Sequence, residues 1–98
     1  MLFILICRDK PGLLETRLAN RPAHLDHLKG MVADGTIKFA GPFLDDDGKP
    51  NGSLLCVEAA DRAAAAAIVE GDPYAKAGLF ASVEVQPWNW TVNKPGAA

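Results

Sequence analysis

The chain predicts a single α+β domain with the element order βαββαβ, and three features of its 98 residues carry that expectation. Four short runs rich in β-branched and aromatic residues are set apart by Gly, Pro, Asp and Asn. Two stretches with helical character fall between the first and second run and between the third and fourth. The length is that of one domain.

Residues 2–7 (Leu-Phe-Ile-Leu-Ile-Cys) predict the first strand. The run does not alternate, so both of its faces should be buried, and it ends in the turn-like residues 9–12. Residues 13–19 suit a short helical stretch. Asn20 then reads as an N-cap with Pro22 in the first turn, where its missing N–H is harmless. A helix from there to about Ala33 stops at Gly35. Residues 36–40 predict a second strand, ended by Gly41-Pro42. Residues 44–52 are dense in turn formers and predict a loop. Residues 53–58 predict a third strand. Asp61 caps an alanine-rich helix running to about Glu70, closed by Gly71. Residues 72–78 form a connection with room for one helical turn. Residues 80–86 alternate, Val83 and Val85 against Glu84 and Gln86, and predict a half-exposed fourth strand. The domain is expected over 1–90, with a mobile tail over 91–98. Right-handed crossovers then put both helices on one face of a four-stranded antiparallel sheet, the ferredoxin-like arrangement.

Two helices cover only one face of such a sheet. The first strand nevertheless carries Leu2, Ile4 and Ile6 on one face and Phe3, Leu5 and Cys7 on the other. A second copy of the chain is the expected cover for the open face, giving a homodimer through the sheet. The alternative cover is the tail folding back with Trp88 and Trp90.

The formal net charge is -2, with no basic stripe to neutralise phosphates, which argues against a nucleic-acid partner. The longest apolar run is far shorter than a membrane helix, and it has neither the basic flank nor the cleavage site of a signal peptide. A cytoplasmic protein without a membrane partner is the expectation. Cys7 and Cys56 sit in apolar runs and read as buried small hydrophobes rather than a disulfide.

From Arg21, the inward stripe of the first helix reads Arg21, His24, Leu25, Leu28, Met31 and Val32. A cation and an imidazole on a core-facing stripe are costly unless they line a cavity or find partners. The start of this helix therefore predicts a pocket for a small anionic or enol-like molecule, with the helix N-terminus and Arg21 attracting negative charge. Asp72, in the turn Asp72-Pro73-Tyr74, is a candidate carboxylate to orient His24 for acid–base work. Spacing does not establish that the two meet. Ser53 and Tyr74 are candidate hydrogen-bonding groups for a ligand, and Phe43 and Trp88 candidate apolar walls. His27 falls off the stripe and has no third ligand near in sequence, so it reads as solvated and no metal site is expected. Asp45-Asp46-Asp47-Gly48 lacks the later ligands of a calcium loop. No cofactor-binding motif is present.

Five segments occur here in the order found in the YCII-related, YciI-like proteins. They are residues 21–25 (Arg-Pro-Ala-His-Leu), Gly35 with Ala40-Gly41-Pro42, Gly52-Ser53, Asp72-Pro73-Tyr74 and Gln86-Pro87-Trp88. The chain resembles that family from Met1 to about Trp90. The resemblance implies a dimeric α+β barrel, and a histidine and aspartate acting as a pair that map onto His24 and Asp72. It also implies a wider superfamily of cofactor-independent isomerases, lyases and oxygenases acting on small ring compounds. The leading expectation is therefore a cofactor-independent lyase or isomerase in which His24 moves a proton. The competing one is a small-molecule-binding or regulatory module without catalysis, since the same fold serves both.

Overall fold

The apolar run behind Met1 forms strand β1 (Leu2–Asp9) at the interior of the sheet, where a strand without alternation belongs. The computed structural model describes residues 1–96; Ala97 and Ala98, the end of the expected mobile tail, lie outside the described residues. Helix α1 (Leu14–Ala33), β2 (Ile37–Leu44), β3 (Pro50–Glu58), α2 (Arg62–Glu70), α3 (Pro73–Lys76) and β4 (Phe80–Trp88) follow along the chain. The strand order is β2-β3-β1-β4 and every neighbouring pair is antiparallel, the ferredoxin-like α+β fold. No helix among the described residues is long and apolar enough to cross a membrane.

The core lies between this sheet and its helices. Phe3, Leu5 and Cys7 point to the helix side, level with Val57, Leu55 and Ser53 of β3. Leu28 of α1 and Ala65 and Val69 of α2 close over them. Helix α2 keeps its expected ends, with Asp61 Oδ1 accepting from the Ala64 N–H at 2.8 Å and Gly71 at the C-cap.

Three local expectations are corrected. Residues 14–33 form one helix rather than two, with Pro22 inside it. Asn20 is not a cap; its Nδ2 donates to the Thr16 carbonyl at 2.9 Å. The helix persists because Arg17, His24 and Leu28 are all buried along one stripe, and that tertiary anchoring outweighs the single backbone bond Pro22 forgoes. Strand β2 runs on through Gly41 and Pro42, which it tolerates because it is an edge strand. Strand β3 begins at Pro50, so the expected loop shrinks to a tight turn in which Asp45 Oδ1 accepts from the N–H groups of Asp47 and Lys49. At Gly52 an added Cβ would lie 2.6 Å from the Cys7 carbonyl oxygen, so only glycine lets β3 run this close to β1 beside Ser53.

The other face of the sheet carries Leu2, Ile4 and Ile6, each half-buried. Phe39, Trp88 and Trp90 pack together there, with Phe39 and Trp90 edge to face at 5.2 Å. Cys56, which pairs with both Ile4 and Phe39, is fully buried.

Candidate active site

Where α2 gives way to α3, the chain places a carboxylate under α1. Asp72 is the N-cap of α3, and its Oδ1 accepts from the Tyr74 N–H at 2.9 Å. Both oxygens of that carboxylate also lie 2.9 Å from Nδ1 of His24, 48 residues earlier in the chain. The imidazole stacks on the Tyr74 ring, centroids 3.9 Å apart and planes 16° from parallel. One hydrogen-bonded edge and one stacked face fix the ring. Its second nitrogen, Nε2, has no hydrogen-bond partner among the described residues, and His24 lines a cavity of about 380 Å³ between α1, β2 and β3.

Two turns before His24 on the same helix stands Arg17, 3% exposed. Its Nε and Nη2 donate to Asp9 Oδ2 at 2.7 Å and Oδ1 at 2.8 Å, a bidentate pair that ties α1 to the end of β1. Nη2 also donates to Ser53 Oγ at 3.0 Å, and the guanidinium lies over the Tyr74 ring, 4.5 Å from its centroid. Burial opposes the Arg17 charge, but hydrogen bonding and attraction to Asp9 outweigh it and hold the group above its ordinary value. Burial pushes the Tyr74 phenol up, against the opposing pull of Arg17 and Arg21.

Cys7 sits beneath this network, wholly buried. Burial, with the nearby Asp72 carboxylate adding, pushes its thiol from 9.0 up to about 12. The folded chain therefore holds this proton where an unfolded chain has released it. That contribution to stability is complete below pH 9 and is lost as pH rises from 9 toward 12. Melting temperature is expected to fall over that interval, and less steeply in Cys7→Ala than in wild type. Iodoacetamide at pH 8 should leave Cys7 unmodified in the folded protein; rapid alkylation there would contradict this burial.

Of the residues singled out from sequence, His24, Asp72, Ser53 and Tyr74 are brought together and all are buried. Arg21 also lines the cavity but is exposed, one helical turn from both Arg17 and His24. The expected role of a helix N-terminus is corrected. The helix starts at Leu14, so Arg21 and His24 lie about 10–15 Å along the axis from its positive end, beyond its useful reach. Phe43 and Trp88 are likewise not walls of this cavity. Strand alternation puts Phe43 on the opposite face, where Arg8 lies 4.4 Å over its ring, and Trp88 belongs to the aromatic cluster on that same face. Leu25 and Val32 are largely exposed rather than core. His27 is not simply solvated either: its ring lies against Gly71, and its Nε2 is buried without a partner. Arg17 and Asp9 went unrecognised in the sequence, although Arg17 is seven residues before His24 and so shares its stripe once the helix is read as continuous.

A YCII-related domain model matches residues 1–89. The chain belongs to the YCII-related family. Among YCII-related relatives, protein YciI of Escherichia coli O6:H1 is 36% identical over 94 residues, covering 90% of this chain and 96% of that protein. The derivative of benzaldehyde biosynthesis cluster protein C of Emericella nidulans is 36% identical over 72 residues, 66% of this chain and 74% of that one. The YCII-related chain is also similar to a solved structure, 5-chloro-2-hydroxyhydroquinone dehydrochlorinase (TftG) from Burkholderia phenoliruptrix AC1100 in complex with 2,5-dihydroxybenzoquinone. Identity is 39% and the TM-score 0.81, over 91% of this chain and 94% of that one. A candidate antibiotic biosynthesis monooxygenase from Bacteroides thetaiotaomicron VPI-5482 shares the fold, with a TM-score of 0.53 at 15% identity over 100% of this chain and 93% of that one.

Proposed function

We propose that this protein is a cofactor-independent acid–base enzyme of lyase or isomerase type, acting on a small anionic or phenolic ring compound. The observation that carries the proposal is the His24 ring, which lines the cavity, held at Nδ1 by the Asp72 carboxylate while Nε2 is bonded to none of the described residues. With Nδ1–H donated to the carboxylate, the lone pair is on Nε2, as a general base requires. A cavity of about 380 Å³ is of small-molecule size. Leu18, Leu25, Leu28 and Pro42 give it an apolar wall suited to a ring, and Arg21 supplies positive charge at the edge. The names of two relatives agree with this chemistry, since one removes HCl from a chlorinated hydroquinone and the other belongs to a benzaldehyde-derivative cluster.

Such an elimination balances without an external oxidant. One hydroxyl proton moves through His24 to the carbon bearing chlorine, using a ring electron pair. Chloride then leaves with its bonding pair, the second hydroxyl proton is lost, and the ring ends as a quinone. The test is chloride release from 5-chloro-2-hydroxyhydroquinone at pH 7. His24→Ala should lower turnover by about 10²–10⁴-fold in a protein that still melts cooperatively, at a lower temperature because buried Asp72 loses a partner. Full activity in that variant would end the proposal.

The same reading includes a homodimer through the open sheet face. Leu2, Ile4 and Ile6 are only half-buried in one chain, and Phe39 and Trp88 remain 38% and 37% exposed, a surface that a second copy would close. Light scattering at micromolar concentration should give twice the 10.4 kDa chain mass, and Ile4→Lys should halve it. A monomer in the wild type would refute this arrangement.

A further inference from the structure

We infer that the mouth of the cavity is a subsite for an apolar substituent on the substrate ring: Leu18 and Leu25 of α1 and Leu44 of β2 hold a group of a few carbons that projects outward while the oxygen-bearing end faces His24. The inference rests on the acid–base reading above and narrows its substrates from simple phenols to phenols carrying such a group.

Leu18 and Leu25 are each 48% exposed and Leu44 is 59% exposed, yet all three line the cavity. The first two lie two turns apart on α1, and Leu44 comes to the same cavity from the edge strand. A single exposed leucine needs no explanation, but three on the walls of one cavity form an apolar patch. The lining is also graded with depth. His24 and Ser53 are buried, whereas the exposed lining is apolar apart from Arg21. A matching ligand is polar at its inner end and apolar toward solvent.

Size points the same way. A cavity of roughly 150 Å³ with an aliphatic and aromatic lining holds benzene. The cavity here is about 380 Å³, so one ring leaves more than half of it to be filled. Water in that remainder would lie against leucines and against Pro42 and Pro50, which offer it no side-chain partner. An apolar group there displaces such water and shields the leucines, and both changes favour binding. The sheet-to-sheet dimer proposed above uses the opposite face of the sheet and leaves this mouth uncovered, so the leucines are free for a ligand.

The experiment is calorimetric titration of phenol, 4-ethylphenol and 4-butylphenol into wild type, Leu18→Ser, Leu44→Ser and the double variant Leu18→Ser/Leu44→Ser, with light scattering on each protein. Val32→Ser, which removes a comparably exposed apolar side chain of α1 outside the cavity, is the control. Wild type should bind one molecule per chain and tighten by at least about tenfold from phenol to 4-butylphenol, since each methylene fully shielded from water adds up to about fourfold. The double variant should cut that gain by at least about threefold. Its affinity for phenol should change by less than about twofold, as for other replacements of exposed side chains. Either single variant decides the matter if the double one does not fold. Val32→Ser should keep the whole series as in wild type. A gain that survives loss of the leucines, an equal loss for phenol and 4-butylphenol, the same loss in Val32→Ser, or no binding to wild type would each overturn the inference. So would a changed molecular mass in the leucine variants, which would assign these side chains to a contact between protein chains. A leucine-dependent gain in a protein whose His24→Ala variant keeps full activity would leave the subsite standing and defeat the acid–base reading. No gain, with turnover lost in His24→Ala, would do the reverse.

Discussion

Asp72→Asn is expected to reduce turnover by about 10³–10⁴-fold while costing little stability. The reason is the double duty of one carboxylate. Oδ1 accepts from the Tyr74 N–H as well as from His24, and Oδ2 faces His24 alone. Asparagine is a good N-cap, so the amide oxygen stays on Tyr74 and α3 keeps its start. The amide NH₂ is then turned toward His24 Nδ1. It can only donate, so the imidazole must carry its proton on Nε2 instead. That nitrogen is then a donor, and the base is gone although the geometry is almost unchanged. Steady-state turnover of 5-chloro-2-hydroxyhydroquinone alongside a melting curve measures both quantities. A variant that loses stability and activity together would mean that Asp72 acts only as a cap. One that keeps activity would mean that the tautomer does not matter.

The architecture was legible because it is written in local patterns. The non-alternating run at β1 belongs to an interior strand, the alternation at Val83, Glu84, Val85 and Gln86 to an edge strand, and Asp61 and Gly71 bracket α2 as their chemistry requires. The site was legible in part. His24 and Asp72 stood out singly, but their contact spans 48 residues and depends on how α1 lies across the end of α2, which no local rule encodes. Arg17 was lost to a local rule that tertiary structure overrode. Asn20-Arg21-Pro22 has the form of a helix start, and dividing the helix there took Arg17 off the stripe it shares with His24 and Leu28. Asp9 read as a turn residue because its partner was missing. A strand that ends at Ala40 leaves the direction of Phe43 open. Once the strand runs to Leu44, alternation sends Pro42 toward His24 and Phe43 to the opposite face.

Arg17→Met is expected to destabilise the protein by about 3–5 kcal/mol, the largest stability loss of any replacement considered, because it leaves Asp9 charged, nearly buried and without its partner. Chemical denaturation should show it as a lower midpoint at constant slope. Asp9→Leu should cost a comparable amount, now by stranding the guanidinium. The double variant Asp9→Leu/Arg17→Met should recover most of either loss, since two apolar side chains fill the same space without the desolvation penalty of two ions. Additive losses in the double variant would mean that each residue is held by something other than the pair. If the recovery is seen, the ion pair is not what the fold needs at this place. A Leu–Met contact would join β1 to α1 as well, but it would leave Ser53 without its donor and the cavity without a guanidinium oriented beside His24. The doubly replaced protein should therefore be folded and yet bind 2,5-dihydroxybenzoquinone more weakly than wild type. That combination separates the support the pair gives the fold from the use the site makes of it.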